Sequence, residues 1–155
     1  MVITASGGGI GSSFANTALT FSIPLVIDIY RNTVVPNWFG FDFPGTYSSN
    51  GVLFYDQAGW SIYNGVSQLS GGSESLNTWY VQSGALTPNK QAIEAINYAN
   101  VVISGNGYFT NSQGHIYLGS NGGRGTIQWI RVRAYPPNGV MPSATYGNTA
   151  SLSVV

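Results

Sequence analysis

The acidic side chains are the first candidates for chemistry, because glycoside hydrolysis requires two carboxyl groups on either side of one bond. The five acids are Asp28, Asp42, Asp56, Glu74 and Glu94. Each is isolated in sequence, and no two alternate along one segment. The sequence therefore predicts a protein that is not an enzyme, in which changing Asp42, Asp56 or Glu94 to its amide leaves activity intact.

Metal and cofactor sites are equally unsupported by the sequence. Cysteine is absent and His115 is the only histidine, so no metal ligand set is expected. Asp42 and Asp56 stand beside turn-forming residues, where Asp commonly accepts hydrogen bonds from its own backbone. A weak oxygen site at Asp56 and Gln57 is the open alternative. GGGIGSS (7–13) lacks the lysine and helix of a phosphate loop, which indicates a flexible joint.

Residues 124–137, RGTIQWIRVRAYPP, hold three of the five basic side chains. Alternate residues of a strand share a face, so we expect one face to carry a strip of large side chains: Ile127, Trp129, Arg131, Arg133 and Tyr135. Arginine covers aromatic rings while its charged head stays in water. Three interpretations stay open: a solvated face, a platform for sugars, or a contact surface for a protein.

Nearly all of the chain has the pattern of short β-strands, rich in β-branched or aromatic residues and bounded by Gly, Asn, Pro or Ser. Asn-Gly turns favour antiparallel hairpins. The segment 89–100 fits a helical turn or a strand, and we favour a strand. The predicted fold is an all-β, single-domain antiparallel β-sandwich of the jelly-roll type. It spans residues 14–155, after a flexible β-prone tail at 1–13.

Composition limits the possible partners. Charged residues are 6% of 155 and the net charge is zero, whereas phosphate backbones require many Lys or Arg. Nucleic acid is therefore excluded as a partner. No apolar run approaches the ~20 residues of a membrane-spanning helix, so no membrane span is expected. A neutral surface has little charge repulsion, which favours association with copies of itself.

The N-terminal segment offers one way to associate. Val2, Ile3, Thr4 and Ala5 form a β-prone stretch that precedes the glycine joint. A strand on such a tether can add to the sheet edge of a neighbouring molecule or fold back onto its own edge. The first is our hypothesis, a donor strand in a homopolymer, and the second stays the open alternative.

From about Trp79, three segments occur in a recognisable order: NTWYVQ (77–82), HIYLG (115–119) and TIQWIRVRAYPP (126–137). In this second half the chain resembles the concanavalin A-like lectin and glucanase jelly rolls of archaeal and bacterial surface proteins. The resemblance implies a β-sandwich and a surface location, but no single activity. Glucanases of this fold carry acids that alternate along one strand, and this chain lacks that arrangement.

The sequence thus predicts a non-catalytic structural building block of an extracellular assembly. This would be a surface filament, pilus-like fibre, coat or virion component. The alternative is a carbohydrate-binding, lectin-like module of a cell-surface protein, with glycans as partners. Both hypotheses place the protein outside the cell, at the cell surface, or in the first case in a virion.

Overall fold

The computed structural model describes residues 14–43, 51–57 and 59–139. These residues contain no helix that could cross a membrane. Their strands are β1 (Phe14–Asn16), β2 (Phe21–Ser22), β3 (Leu25–Val35), β4 (Phe39–Phe43), β5 (Val52–Asp56), β6 (Trp60–Tyr63), β7 (Gln68–Gly71), β8 (Trp79–Leu86), β9 (Ala92–Ile96), β10 (Ala99–Ile103), β11 (Gln113–Gly114), β12 (Tyr117–Gly119) and β13 (Arg124–Ala134).

Two large sheets form the sandwich. One has six strands in the order β1-β12-β4-β5-β6-β7, and the other has five in the order β10-β9-β8-β3-β13. β2 and β11 form a small separate pair. All pairings are antiparallel. The predicted antiparallel β-sandwich is therefore confirmed.

The core lies between the two sheets and is built by alternation along the strands. Leu25, Ile27 and Ile29 of β3 point inward and are at most 3% exposed. Rings from the six-stranded sheet face them, including Phe41 and Phe54, whose centroids lie 4.9 Å apart. Burial of such aliphatic and aromatic surface is the main stabilising term of the fold.

Gly84 lets the sheets approach at the centre of this core. A Cβ on Gly84 would lie 2.7 Å from the ring of Phe41 and 2.8 Å from the ring of Phe54. Real side chains do not pack at these distances. The absence of a side chain on β8 therefore makes room for the stacked pair of rings from the opposite sheet.

The segment 89–100 contains strand rather than a helical turn, as predicted, and it forms part of a hairpin. β9 and β10 pair directly, with Asn97 and Tyr98 in the turn at φ of 49° and 68°. Two central residues with positive φ are typical of a tight hairpin turn. Asn97 Oδ1 also accepts a hydrogen bond of 3.0 Å from Val81 N. This bond ties the turn to β8 beside the outer face of the five-stranded sheet.

Two predictions fall on the ends of the chain. The tail 1–13, with its donor-strand residues Val2, Ile3, Thr4 and Ala5, lies outside the described residues, as does 140–155. The domain boundaries and the donor strand stay predictions.

Candidate functional site

A polar network is buried between the sheets around Arg31. This side chain follows Leu25, Ile27 and Ile29 on the inner face of β3 and is 0% exposed. Its guanidinium carbon lies 4.8 Å from the ring centroid of Phe39 and 5.1 Å from that of Trp60. A delocalised cation between two aromatic rings gains cation–π attraction while it is hidden from water.

The network brings together acids that are far apart in sequence. Arg31 Nη2 forms ion pairs with Asp56 Oδ2 and with Glu74 Oε1, the second at 2.8 Å. Thr33 Oγ1 donates to Asp56 Oδ2 at 3.0 Å. The predicted turn-capping role of Asp56 is therefore wrong, because its carboxylate pairs with Arg31 instead. Asp42 lies near the end of β4, as predicted.

Glu94 of β9 joins this network through Gln82. Arg31 Nη1 donates to Gln82 Oε1 at 2.9 Å, and Gln82 Nε2 donates to Glu94 Oε1 at 2.6 Å. Burial raises the pKa of Glu94 well above its usual value, against the opposing effects of Gln82 and Arg31. Burial likewise raises the pKa of Glu74, although Arg31 lowers it. Glu94 therefore keeps its proton to higher pH than an exposed glutamate.

This interior network is structural in character. Asp56 and Glu94 are 0% exposed, and the side chain of Glu74 is 3% exposed. Across residues 14–43, 51–57 and 59–139, no group of acids and histidines is arranged to hold a metal ion. At the centre of the acids, the guanidinium of Arg31 supplies the positive charge. No pair of these three carboxyl groups faces solvent.

The outer face of the five-stranded sheet carries the exposed aromatic side chains. Tyr30 of β3 is paired with Trp129 of β13. Trp79 of β8 is paired with Asn32, which lies two residues after Tyr30 along β3 and therefore on the same face. The ring centroids of Tyr30 and Trp79 lie 4.8 Å apart, and those of Tyr30 and Trp129 lie 5.7 Å apart. With interplanar angles of 29° and 20°, both pairs are stacked, in the range of separations typical of offset aromatic pairs.

We call Trp79, Tyr30 and Trp129 the aromatic row. Tyr30 is the middle ring, and the two tryptophans at the ends are 41% and 38% exposed. Among the described strands, β13 is the last of its sheet, so Trp129 lies at that edge. Each end of the row therefore leaves part of a tryptophan side chain exposed.

The structure places part of the strip predicted along β13 on the outer face, and its role as a contact surface stays a prediction. Trp129, Arg131 and Arg133 are paired with Tyr30, Asp28 and Val26 on the outer face. Ile127 is instead 1% exposed and belongs to the core. The register shifts between Ile127 and Trp129, so one extra residue interrupts the alternation. This β-bulge is the physical reason why the placement of Ile127 on the outer face is wrong.

Tyr135 is also separate from the aromatic row. It follows the end of β13 at Ala134. Its hydroxyl lies 3.1 Å from the position that a Cβ of Gly139 would occupy. The side chain thus packs on the turn that follows the strand.

Asp28 holds the two arginines of the strip in place. Asp28 Oδ2 accepts hydrogen bonds from Arg131 Nε at 3.0 Å and from Arg133 Nε at 2.9 Å. Asp28 Oδ1 accepts from Ser83 Oγ at 2.6 Å and from Arg133 Nη2 at 3.3 Å. Asp28 is 0% exposed, so it orients the arginines without being open to a ligand.

The electrostatics of this group favour its fully charged form. Burial raises the pKa of Asp28, but hydrogen bonds from Arg133, Ser83 and Arg131 outweigh burial and lower the pKa below its usual value. The bond to Asp28 in turn raises the pKa of Arg131. Arg131 remains half exposed, with its guanidinium carbon 5.8 Å from the ring centroid of Trp129.

The two clusters differ in what they can do. The network around Arg31 is closed to solvent and connects strands of both sheets. The outer face combines exposed rings with an oriented, accessible guanidinium, which suits it to bind a ligand that has both an apolar face and polar groups. Sequence reasoning identified Trp129, Arg131 and Arg133, but not Tyr30, Trp79 or Asp28.

Comparison with known proteins gives similarity in structure only. No family model matches the sequence, and no curated protein matches it. One similar structure is the carbohydrate-binding module CBM66 from Bacillus subtilis. Its TM-score is 0.57 at 12% identity, over 79% of this chain and 81% of that one. A glycoside hydrolase family protein from Mycobacterium thermorestibile has a TM-score of 0.54 at 11% identity, over 84% and 74%.

Trypanosoma rangeli sialidase is a third similar structure, with a TM-score of 0.50 at 18% identity. The match covers 70% of this chain but only 20% of the sialidase. At these identities the likeness concerns the fold alone. It is consistent with the expected concanavalin A-like jelly roll, while membership of a particular surface-protein family stays a prediction.

Proposed function

We propose that this protein is a non-catalytic carbohydrate-binding module, and that the aromatic row is its binding surface. Sugars pack their apolar C–H faces on aromatic rings and form hydrogen bonds with planar donors. The aromatic row supplies the aromatic rings, and the guanidinium of Arg131 supplies the planar hydrogen-bond donor. Location outside the cell or at its surface, where glycans are found, is part of this proposal.

The observation that carries the proposal is the exposure of Trp79 and Trp129 on a rigid, stacked support. Large aromatic side chains usually contribute buried area to a fold, yet these two leave about two fifths of their surface open. Each rests against Tyr30, so little conformational entropy is lost when a ligand binds. The likeness to a carbohydrate-binding module supports the same choice at the level of fold.

The assembly hypothesis receives less support. Its donor strand at 2–5 lies outside the described residues, and a homopolymer of this chain stays a prediction. Catalysis is also less well supported, although two of the similar structures are named as a sialidase and a glycoside hydrolase family protein. The acids Asp56, Glu74 and Glu94 lie in the closed interior, and Asp28 is occupied by its arginines.

The proposal is tested by screening the purified full chain on a set of neutral and acidic oligosaccharides. The same screen is run on Trp129→Ala and Trp79→Ala. We expect saturable binding by the wild type and a loss of at least about tenfold in each variant, because a stacking surface is removed. Ile103→Ala is the matched control, since Ile103 is an exposed apolar residue at the far edge of the same sheet.

Circular dichroism and thermal melting show that the variants are folded. Loss of a ring pair costs about 0.5–1.5 kcal/mol, which leaves the sandwich intact. Full binding by both tryptophan variants, or no saccharide bound by the wild type, would contradict the proposal. Analytical ultracentrifugation of the same samples tests the assembly hypothesis, which predicts polymers.

A further inference from the structure

One edge of the Arg131 guanidinium is used by the protein and the opposite end is open. Nε and Nη2 contact Asp28 Oδ2 at 3.0 and 2.8 Å. Nη2 also reaches the hydroxyl of Tyr98 at 3.4 Å. Within the described part of the chain, Nη1 has no hydrogen-bond partner. The side chain is 51% exposed, so the Nη1 end is open to solvent.

The charge exposed beside the aromatic row is that of Arg131. Its guanidinium is paired with the carboxylate of Asp28, but Asp28 is 0% exposed whereas the side chain of Arg131 is 51% exposed. The other four acids lie elsewhere: Asp42 on the six-stranded sheet, and Asp56, Glu74 and Glu94 in the interior. A chain with zero net charge therefore presents a local cation beside the aromatic row.

We propose that the saccharide bound by the aromatic row is acidic, and that the Nη1 end of Arg131 binds its carboxylate or sulfate group. This inference rests on the proposed function. A ring stacked on Trp129 has its substituents beside a guanidinium whose carbon is 5.8 Å from that indole. Arginine is suited to this role because its planar donors match the oxygens of a carboxylate or a sulfate. Asp28 acts as the positioning residue for Arg131.

Pairs of oligosaccharides that differ only in charge test the inference. The carboxylate pair is tetragalacturonate and its methyl ester. The sulfate pair is a sulfated galactan tetrasaccharide and its desulfated form. Isothermal titration is performed on the wild type, on Arg131→Gln and on Arg124→Gln. Arg124 is an exposed arginine at the other end of the same strand, so Arg124→Gln is the matched charge control.

In the wild type and in Arg124→Gln we expect the acidic member of at least one pair to bind about tenfold more tightly than the neutral member. This ratio corresponds to about 1.4 kcal/mol. In Arg131→Gln the ratio falls to about one. Binding of the neutral saccharide weakens as well, because Arg131 also supplies a hydrogen-bond donor to the sugar, but it weakens less than binding of the acidic saccharide. Raising the salt concentration weakens the preference in the wild type.

The results separate this inference from the proposed function. Equal binding of acidic and neutral members by the wild type overturns the inference alone, as does a preference that survives Arg131→Gln. Absence of binding to every saccharide overturns both. The pair that shows the preference identifies the anion as a carboxylate or a sulfate.

Discussion

Replacing Arg31 by methionine is the most informative perturbation of the interior. The change removes the cation that pairs with Asp56 and Glu74, whose side chains are 0% and 3% exposed. Methionine fills much of the space between Phe39 and Trp60, so the loss of packing is small. Removing one partner of a buried ion pair costs about 3–5 kcal/mol, because the other charge remains buried and uncompensated. We expect a loss of unfolding free energy in that range.

A double-mutant cycle separates the ion pair from general damage. Asp56→Asn alone removes one charge but leaves Arg31 with Glu74, Gln82 and the carbonyl oxygen of Phe39. The double variant Arg31→Met/Asp56→Asn should be more stable than the sum of the single losses predicts, by about 1 kcal/mol or more.

The free energies are measured by urea denaturation at pH 7, with Arg124→Met as an exposed-arginine control that should stay within about 0.5 kcal/mol of the wild type. Additive effects, or a loss below about 1 kcal/mol in Arg31→Met, would refute this account of the interior. The prediction that Asp56→Asn leaves activity intact is separate from this measurement and concerns only protein that remains folded.

The remaining predictions concern pH and packing. Because the pKa of Glu94 is raised in the folded state, the unfolded chain releases this proton first as pH rises above about 4.5, and the stability due to Glu94 falls. Denaturation between pH 4 and 8 should therefore show that Glu94→Gln gains stability relative to the wild type as pH increases; a constant difference would contradict this. The pKa of Asp28 is lowered, so its contribution is lost as pH falls below about 3.8, and Asp28→Asn should remove that part of the acid sensitivity. Gly84→Ala should cost about 1–3 kcal/mol through overpacking against Phe41, whereas Gly105→Ala, with open space around it, should melt like the wild type.

Alternation within single strands made much of the fold predictable. The inward positions Leu25, Ile27 and Ile29 follow from the sequence, and the same period places Arg31 on the inner face. The alternation thus indicated that Arg31 points inward, but an arginine that follows alternating apolar residues is ordinarily expected to face solvent. Its burial becomes understandable only with the acids from other strands, and their proximity depends on the pairing of strands that are distant in sequence.

The candidate site, too, could be predicted only where its residues lie on a single strand. Trp129, Arg131 and Arg133 were predicted to share a face because they alternate along one strand. Trp79 and Tyr30 belong to other strands, and their neighbourhood depends on the register of β8, β3 and β13. The bulge beside Ile127 has no clear signature in the sequence, because an extra residue in one strand is defined only by its partner.

Nuclear magnetic resonance of the indole N–H groups tests the central claim most directly. The chain has four tryptophans: two belong to the aromatic row, Trp60 is 2% exposed in the core, and Trp38 stacks on Tyr55 in the other sheet. During titration with the saccharide that binds most tightly, the account predicts that the signals of Trp79 and Trp129 shift with saturation, while those of Trp38 and Trp60 stay in place. Shifts confined to Trp38, or no shift at Trp79 and Trp129 when the saccharide is bound, would contradict it.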